Sequence, residues 1–151
     1  MHALDFSASG LRQLAEAART LGIGGRVETT AHDVRTPLPL PHSSTGAVFA
    51  HMLLCMALST EQIYGLVAEV RRVLRPGGVF VYTVRHTGDA HYGVGISHGD
   101  NIFEHDGFAV HFFNDDLVIA LADGWTLVDI HAFEEGELPR RLWRITQIPA
   151  T

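Results

Sequence analysis

Two short, almost uninterrupted apolar runs, Ala47-Val48-Phe49-Ala50 and Val79-Phe80-Val81-Tyr82-Thr83-Val84, stand on either side of an amphipathic stretch from Ser59 to Arg75. That order leaves few folds open. Strands that are apolar on both faces need cover on both faces, the condition of parallel strands flanked by helices. The intervening stretch carries Ile63, Leu66, Val67, Val70, Val73 and Leu74 on one helical stripe, and Ser59 with Gln62 forms a capping box at its start. An α/β layered domain is therefore expected.

The remaining elements fit the same alternation. Ser7 to Leu21 reads as a helix capped by Ser7, with Leu11, Leu14, Ala15 and Ala18 on one face and Gly22 as its terminator. A third helix starts at an Asn114 cap, carries Asp115 and Asp116 at the positive end of its dipole, and runs to Gly124. Further strands are predicted over Met1–Phe6, Arg26–Thr30, Trp125–Phe133 and Leu142–Ile148. The last two are joined by Glu134–Arg141, too short for a helical crossover, so they should pair antiparallel, with Trp125 and Trp143 packed in their core.

With 151 residues and 46% hydrophobic content, one domain spanning 1–151 is expected. The net charge of −6 and the scattering of eleven arginines argue against nucleic-acid partners and for small molecules. The chain has no lysine, which excludes Schiff-base chemistry, a Walker lysine and the Tyr-x-x-x-Lys pair of short-chain dehydrogenases. The single cysteine, Cys55, makes no intrachain disulfide and reads as a small buried thiol. No secretory leader or membrane-length apolar run is visible, so a cytoplasmic protein is expected.

Ligands of open α/β sheets bind beyond the carboxyl ends of the strands, and here those ends are polar: Asp5, His32-Asp33, His51 and Arg85-His86. A carboxylate placed like Asp5, between a strand and a helix, suits both ribose hydroxyls of a nucleoside cofactor. Asp33 reads either as an acceptor for the adenine amine or as a turn carboxylate ahead of Pro37-Leu38-Pro39.

Arg72-Val73-Leu74-Arg75-Pro76-Gly77-Gly78, running from the amphipathic helix into Val79-Phe80-Val81, resembles the turn before the fifth strand of class I S-adenosylmethionine-dependent methyltransferases. In this reading Pro76 stops the helix and the two glycines permit a tight reversal. Ala3-Leu4-Asp5-Phe6-Ser7 is similar to that family's second strand, and Ala31-His32-Asp33-Val34 to its adenine-side loop. The resemblance implies a Rossmann-like sheet with an antiparallel C-terminal strand pair and S-adenosylmethionine as cofactor. It implies that Asp5 binds the ribose and Asp33 the adenine amine, that Phe6 and Val34 lie against adenine, and that Ala50 and His51 border the cofactor. Gly46 stands where many members carry an aspartate, and the acidic-x-Gly-x-Gly loop is absent, because Gly22-Ile23-Gly24-Gly25 follows a helix. The expectation is a domain lacking its first strand and helix, an incomplete enzyme whose sheet gap a partner chain would cover in an oligomer.

Five of the ten histidines (His86, His91, His98, His105 and His111) fall between the Val79 strand and the third helix. Their spacings match no zinc signature, so no metal is expected. Arg85-His86-Thr87-Gly88-Asp89-Ala90-His91 is read as the border of a methyl-acceptor pocket, and the Gly-rich segment beyond it as a lid loop. His51 or His86 is the expected base and Arg85 the expected anchor for an anionic acceptor. The expected function is methyl transfer to a small molecule. Two other readings accompany it: an inactive remnant or interaction module of this fold, and a nicotinamide-dependent oxidoreductase, which explains Asp5 but not Pro76-Gly77-Gly78.

Overall fold

The computed structural model describes residues 1–137 and 140–150. Leu138 and Pro139, in the expected linker, lie outside the described residues. Contacts gather into two units, Met1–Pro39 and the chain from Leu40 onward.

In the first unit β1 (His2–Asp5) is followed by α1 (Ala8–Thr20), a single 3-10 turn at Gly24–Arg26 and β2 (Glu28–Ala31), with β1 and β2 parallel and Ala3 opposite Thr29. The Ser7 hydroxyl accepts the Gly10 N–H at 3.1 Å and starts α1. Leu11 and Ala18 are its buried face, and Gly22, at φ +71°, ends it. Among the described residues β1 pairs with β2 alone.

The second unit begins with β3 (Thr45–His51), α2 (Thr60–Val73) and β4 (Leu74–Arg85), a strand-helix-strand crossover with β3 and β4 parallel. Both halves of the Ser59–Gln62 capping box form, and Ile63, Leu66, Val67, Val70 and Val73 are buried. After β5 (Ile96–Gly99), β6 (Ile102–His105) and β7 (Phe108–His111) come α3 (Asp115–Leu121), β8 (Trp125–Glu135) and β9 (Arg140–Pro149). The main sheet has the order β3-β4-β9-β8, and both β4–β9 and β8–β9 are antiparallel. Its core holds Phe80 and Tyr82, with Phe80 ringed by Tyr82 at 4.9 Å and Trp125 at 5.9 Å.

Four local expectations change. Pro76-Gly77-Gly78 makes its tight turn within β4 and not ahead of it: β4 already starts at Leu74, opposite Thr45, and the register resumes at Ala47–Val79, so residues 75–78 are looped out between the two paired stretches. Gly77 supplies a φ of +75°, and a Cβ on Gly78 would meet the carbonyl oxygens of Arg75 at 2.9 Å and Gly46 at 3.1 Å. The third helix ends at Leu121, short of Gly124. Trp143 is only half-buried and stacks flat on His86, 4.3 Å between ring centres and 3° between planes.

The largest change concerns the expected lid loop, which is a three-stranded antiparallel sheet, β5-β6-β7. Its two-residue turns are Asp100-Asn101 (φ +51° and +57°) and Asp106-Gly107 (φ +51° and +79°), the left-handed pairs that match hairpin twist. Gly95 enters this sheet at φ +90°, where a Cβ would fall 2.1 Å from the Glu104 carbonyl oxygen. Gly95→Ala is therefore expected to cost at least ~1–3 kcal/mol in urea unfolding. Gly25→Ala, whose Cβ meets open space, should stay within about 0.5 kcal/mol.

Candidate functional site

In the first unit Asp5 closes β1 and is exposed; its Oδ1 accepts the Ser7 N–H at 2.8 Å, and its Oδ2 has no partner among the described residues. Phe6 beside it is 84% exposed. Asp33 follows β2, where its carboxylate grips Arg35 through Nε at 2.9 Å and Nη2 at 2.6 Å and also accepts the Arg35 N–H at 3.0 Å. The Arg35 side chain holds that carboxyl down to about 2, with the Arg35 backbone N–H adding to the effect. Asp33 thus acts as a turn carboxylate. Val34 next to it is half-buried. Nε2 of His32 is buried without a hydrogen-bond partner among the described residues, a polar atom of the kind that a bound ligand satisfies. A free carboxylate oxygen, an exposed aromatic ring and an orphaned imidazole nitrogen fit the nucleoside half of S-adenosylmethionine. The sequence offers no acidic-x-Gly-x-Gly segment for its methionine half.

In the second unit Ala50 is buried and His51 closes β3. The Thr83 hydroxyl lies 3.0 Å from the Met52 N–H, which it accepts, and 2.8 Å from His51 Nδ1. His51 Nε2 lies 3.6 Å from the Glu135 carboxylate. At His86, Nδ1 accepts the Gly88 N–H at 3.1 Å, and burial lowers its pKa.

Beyond the carboxyl ends of the parallel strands β3 and β4 lies a cavity of about 590 Å³, bordered by Met52, which follows β3, and by Arg85, the last residue of β4. Its other walls come from Met56, from β6, β7 and the segments on either side of them, and from Gly136, Glu137 and Arg140 at the β8–β9 end. Arg85 borders it as expected, whereas His51 and His86 are not among its lining residues. The Arg85 guanidinium is not free to hold an anion. It forks onto Asp89, Nη2 to Oδ1 at 2.6 Å and Nε to Oδ2 at 3.1 Å, and its face lies 5.1 Å from the Phe112 ring centre. Asp89 also accepts the N–H groups of His91 and Arg141, each at 2.8 Å. Burial opposes ionisation of Asp89, but these donors, Arg85 first, outweigh it and bring its pKa down to about 2.

Two cavity histidines complete the geometry. His91 Nδ1 lies 2.9 Å from Arg85 Nη2 and 3.3 Å from Asp89 Oδ1. A guanidinium only donates and its contact is the shorter of the two, which assigns Nδ1 as the acceptor and puts the ring hydrogen on Nε2. His105 has Nε2 3.4 Å from the Asp106 carboxylate and no partner at Nδ1 among the described residues. Cys55 is buried, and burial pushes its thiol up to about 11, which makes it inert as a nucleophile. Among the described residues no three His, Cys, Asp or Glu side chains converge as a metal site, and no helix is long and apolar enough to cross a membrane.

Sequence reasoning named the Arg85–His91 segment but missed the partnership of Arg85 with Asp89 and the roles of Met52, Phe103 and Phe112. The apolar three read as core in a linear sequence. The hairpin dipeptide Asp106-Gly107 was the signal that would have placed β6 and β7.

A family model described as a methyltransferase domain matches residues 1–78. A sequence search of curated proteins gives no match. Among solved structures, a SAM-dependent methyltransferase from Methanosarcina mazei is 17% identical, at a TM-score of 0.79, over 97% of this chain and 80% of that one. The [4+2]-cyclase SpnF is 16% identical, at a TM-score of 0.76, over 99% of this chain and 66% of that one. A 1,6-didemethyltoxoflavin-N1-methyltransferase from Burkholderia thailandensis, with bound 1,6-didemethyltoxoflavin and S-adenosylhomocysteine, is 14% identical, at a TM-score of 0.70, over 99% of this chain and 71% of that one. At these identities the likeness is one of fold.

Proposed function

The chain belongs to the methyltransferase-domain family, and on that premise we propose that it transfers a methyl group from S-adenosylmethionine to a small molecule held in the cavity beyond β3 and β4. The observation that carries the reading is the position of that cavity, at the carboxyl ends of two parallel strands, where open α/β sheets bind their ligands. In the first unit Asp5 would hold the ribose, Phe6 and Val34 the faces of adenine, and Asp33 or the orphaned His32 Nε2 a polar edge of it. When bound, the cofactor supplies an electrophilic methyl group on a positively charged sulfur.

The residues of this chain have the task of positioning, which carries most of the catalysis in such a displacement. Asp89 fixes Arg85 and the His91 backbone, and Met52 and Phe112 exclude water from the acceptor. An acceptor that loses a proton finds an open lone pair at His105 Nδ1, while those of His86 and His91 are engaged. One other reading is a module that binds the acceptor without turning it over.

Calorimetric titration of the chain with S-adenosylhomocysteine and, separately, NADH tests the proposal. Micromolar binding of the first and none of the second is expected. NADH binding without S-adenosylhomocysteine binding would replace the reading with an oxidoreductase. Binding to neither would leave the module.

A further inference from the structure

We infer that the cavity takes a neutral hydroxylated aromatic molecule, recognised by two histidines of opposite hydrogen-bonding character: His91 as donor and His105 as acceptor. The inference rests on the reading of this cavity as the methyl-acceptor site and narrows it to a chemical class. At about 590 Å³ the space lies within the ~300–1,000 Å³ range of small-ligand pockets. Met52, Met56, Phe103 and Phe112 give it apolar and aromatic walls suited to a flat ring.

Charge sets the second requirement. The one cation at the strand end, Arg85, is neutralised by Asp89, whose side chain is 0% exposed. Arg140, at the other side, lies 3.6 Å from Glu135. The remaining charged lining side chains, Asp106 and Glu137, are carboxylates. An anionic ligand meets no unpaired positive charge there and two negative ones.

The histidines set the third. His91 offers Nε2–H because Arg85 occupies its Nδ1, and His105 offers the Nδ1 lone pair because Asp106 faces its Nε2. Their ring centres are 6.2 Å apart, a spacing that one oxygen with a hydrogen bond of ~2.8 Å to each ring can bridge. A hydroxyl both accepts and donates, so it satisfies the two together; an ether or a carboxylate lacks the hydrogen that His105 needs. A methylated product would therefore bind more weakly than its precursor.

Calorimetry on the full chain without cofactor tests this with three probes: 4-hydroxyacetophenone, its methyl ether 4-methoxyacetophenone, and 4-hydroxybenzoate. The first is expected to bind at least tenfold more tightly than either of the others. His91→Phe and His105→Phe should each erase about tenfold of that affinity, and His105→Phe should leave the methyl ether unchanged. Both side chains are 37% or more exposed, so these variants test recognition and not folding. Equal or tighter binding of the ether or the benzoate, binding of none of the probes, or unaltered affinity in both variants would overturn the inference. Affinities read without cofactor decide on the acceptor class alone, whereas S-adenosylhomocysteine binding decides on the reaction, so the two failures are separable.

Discussion

Asp89→Asn is expected to destabilise the chain by roughly 3–5 kcal/mol, the cost of leaving one partner of a buried ion pair uncompensated. Both carboxylate oxygens are fully used: Oδ1 takes Arg85 Nη2 and the His91 N–H, and Oδ2 takes Arg85 Nε and the Arg141 N–H. Asparagine keeps one acceptor oxygen and turns the other into a donor facing two donors. The Arg85 side chain, 11% exposed, would then keep its charge with little water to solvate it. Acid sensitivity follows from the same contacts. A carboxyl held at about 2, against 3.8 when free, contributes stability that is fully present above about pH 4 and is lost as pH falls through about 2. At 1.36 kcal/mol per pH unit the contribution is about 2 kcal/mol. Urea unfolding at pH 7 and pH 3 should show about half of this contribution, ~1 kcal/mol, lost in the wild type, and an acid loss smaller by that amount in Asp89→Asn. A variant as stable as wild type at pH 7 would show that the cluster does not anchor β4 to β9.

The parts of this architecture legible in the sequence are those fixed by local chemistry. The capping box at Ser59 and the five buried positions of α2 lie within one stretch of chain, and the structure forms them as read. The antiparallel β8–β9 pair followed from a linker too short for a helix. Non-local requirements were less visible. Gly78 is needed because the backbone of β3 passes it, with the Gly46 carbonyl 3.1 Å from a would-be Cβ, and no property of residues 72–78 alone reveals that neighbour. The β5-β6-β7 sheet was hidden by its composition. Its histidines and glycines read as a loop, although Asp106-Gly107 between Phe103 and Val110 is a hairpin signal in its own right. At the candidate site, the polar strand ends were legible as residue types. Which ring nitrogen is open was not, because Arg85 sets it for His91 from 6 residues away.

Asp5→Ala should weaken S-adenosylhomocysteine binding by roughly 2–4 kcal/mol, about thirtyfold to several hundredfold, if Asp5 holds the ribose through two charge-assisted hydrogen bonds. The carboxylate also accepts the Ser7 N–H at 2.8 Å, at the entry to α1, so an alanine removes a turn as well as a ligand contact. Asp5→Asn separates the two effects: it retains an acceptor for Ser7 while losing the charge and one acceptor oxygen, and should fall between wild type and alanine in affinity. Because Asp5 is exposed, both variants should unfold within about 1 kcal/mol of wild type, which excludes collapse of the first unit as the cause of weaker binding. A 2′-deoxyribose analogue of the ligand closes the cycle. It lacks one of the hydroxyls that Asp5 would hold, so it should bind wild type more weakly, and the alanine should cost it less than it costs the parent ligand. Equal losses for the two ligands would place Asp5 away from the ribose, and an unchanged dissociation constant in Asp5→Ala would remove it from the cofactor site.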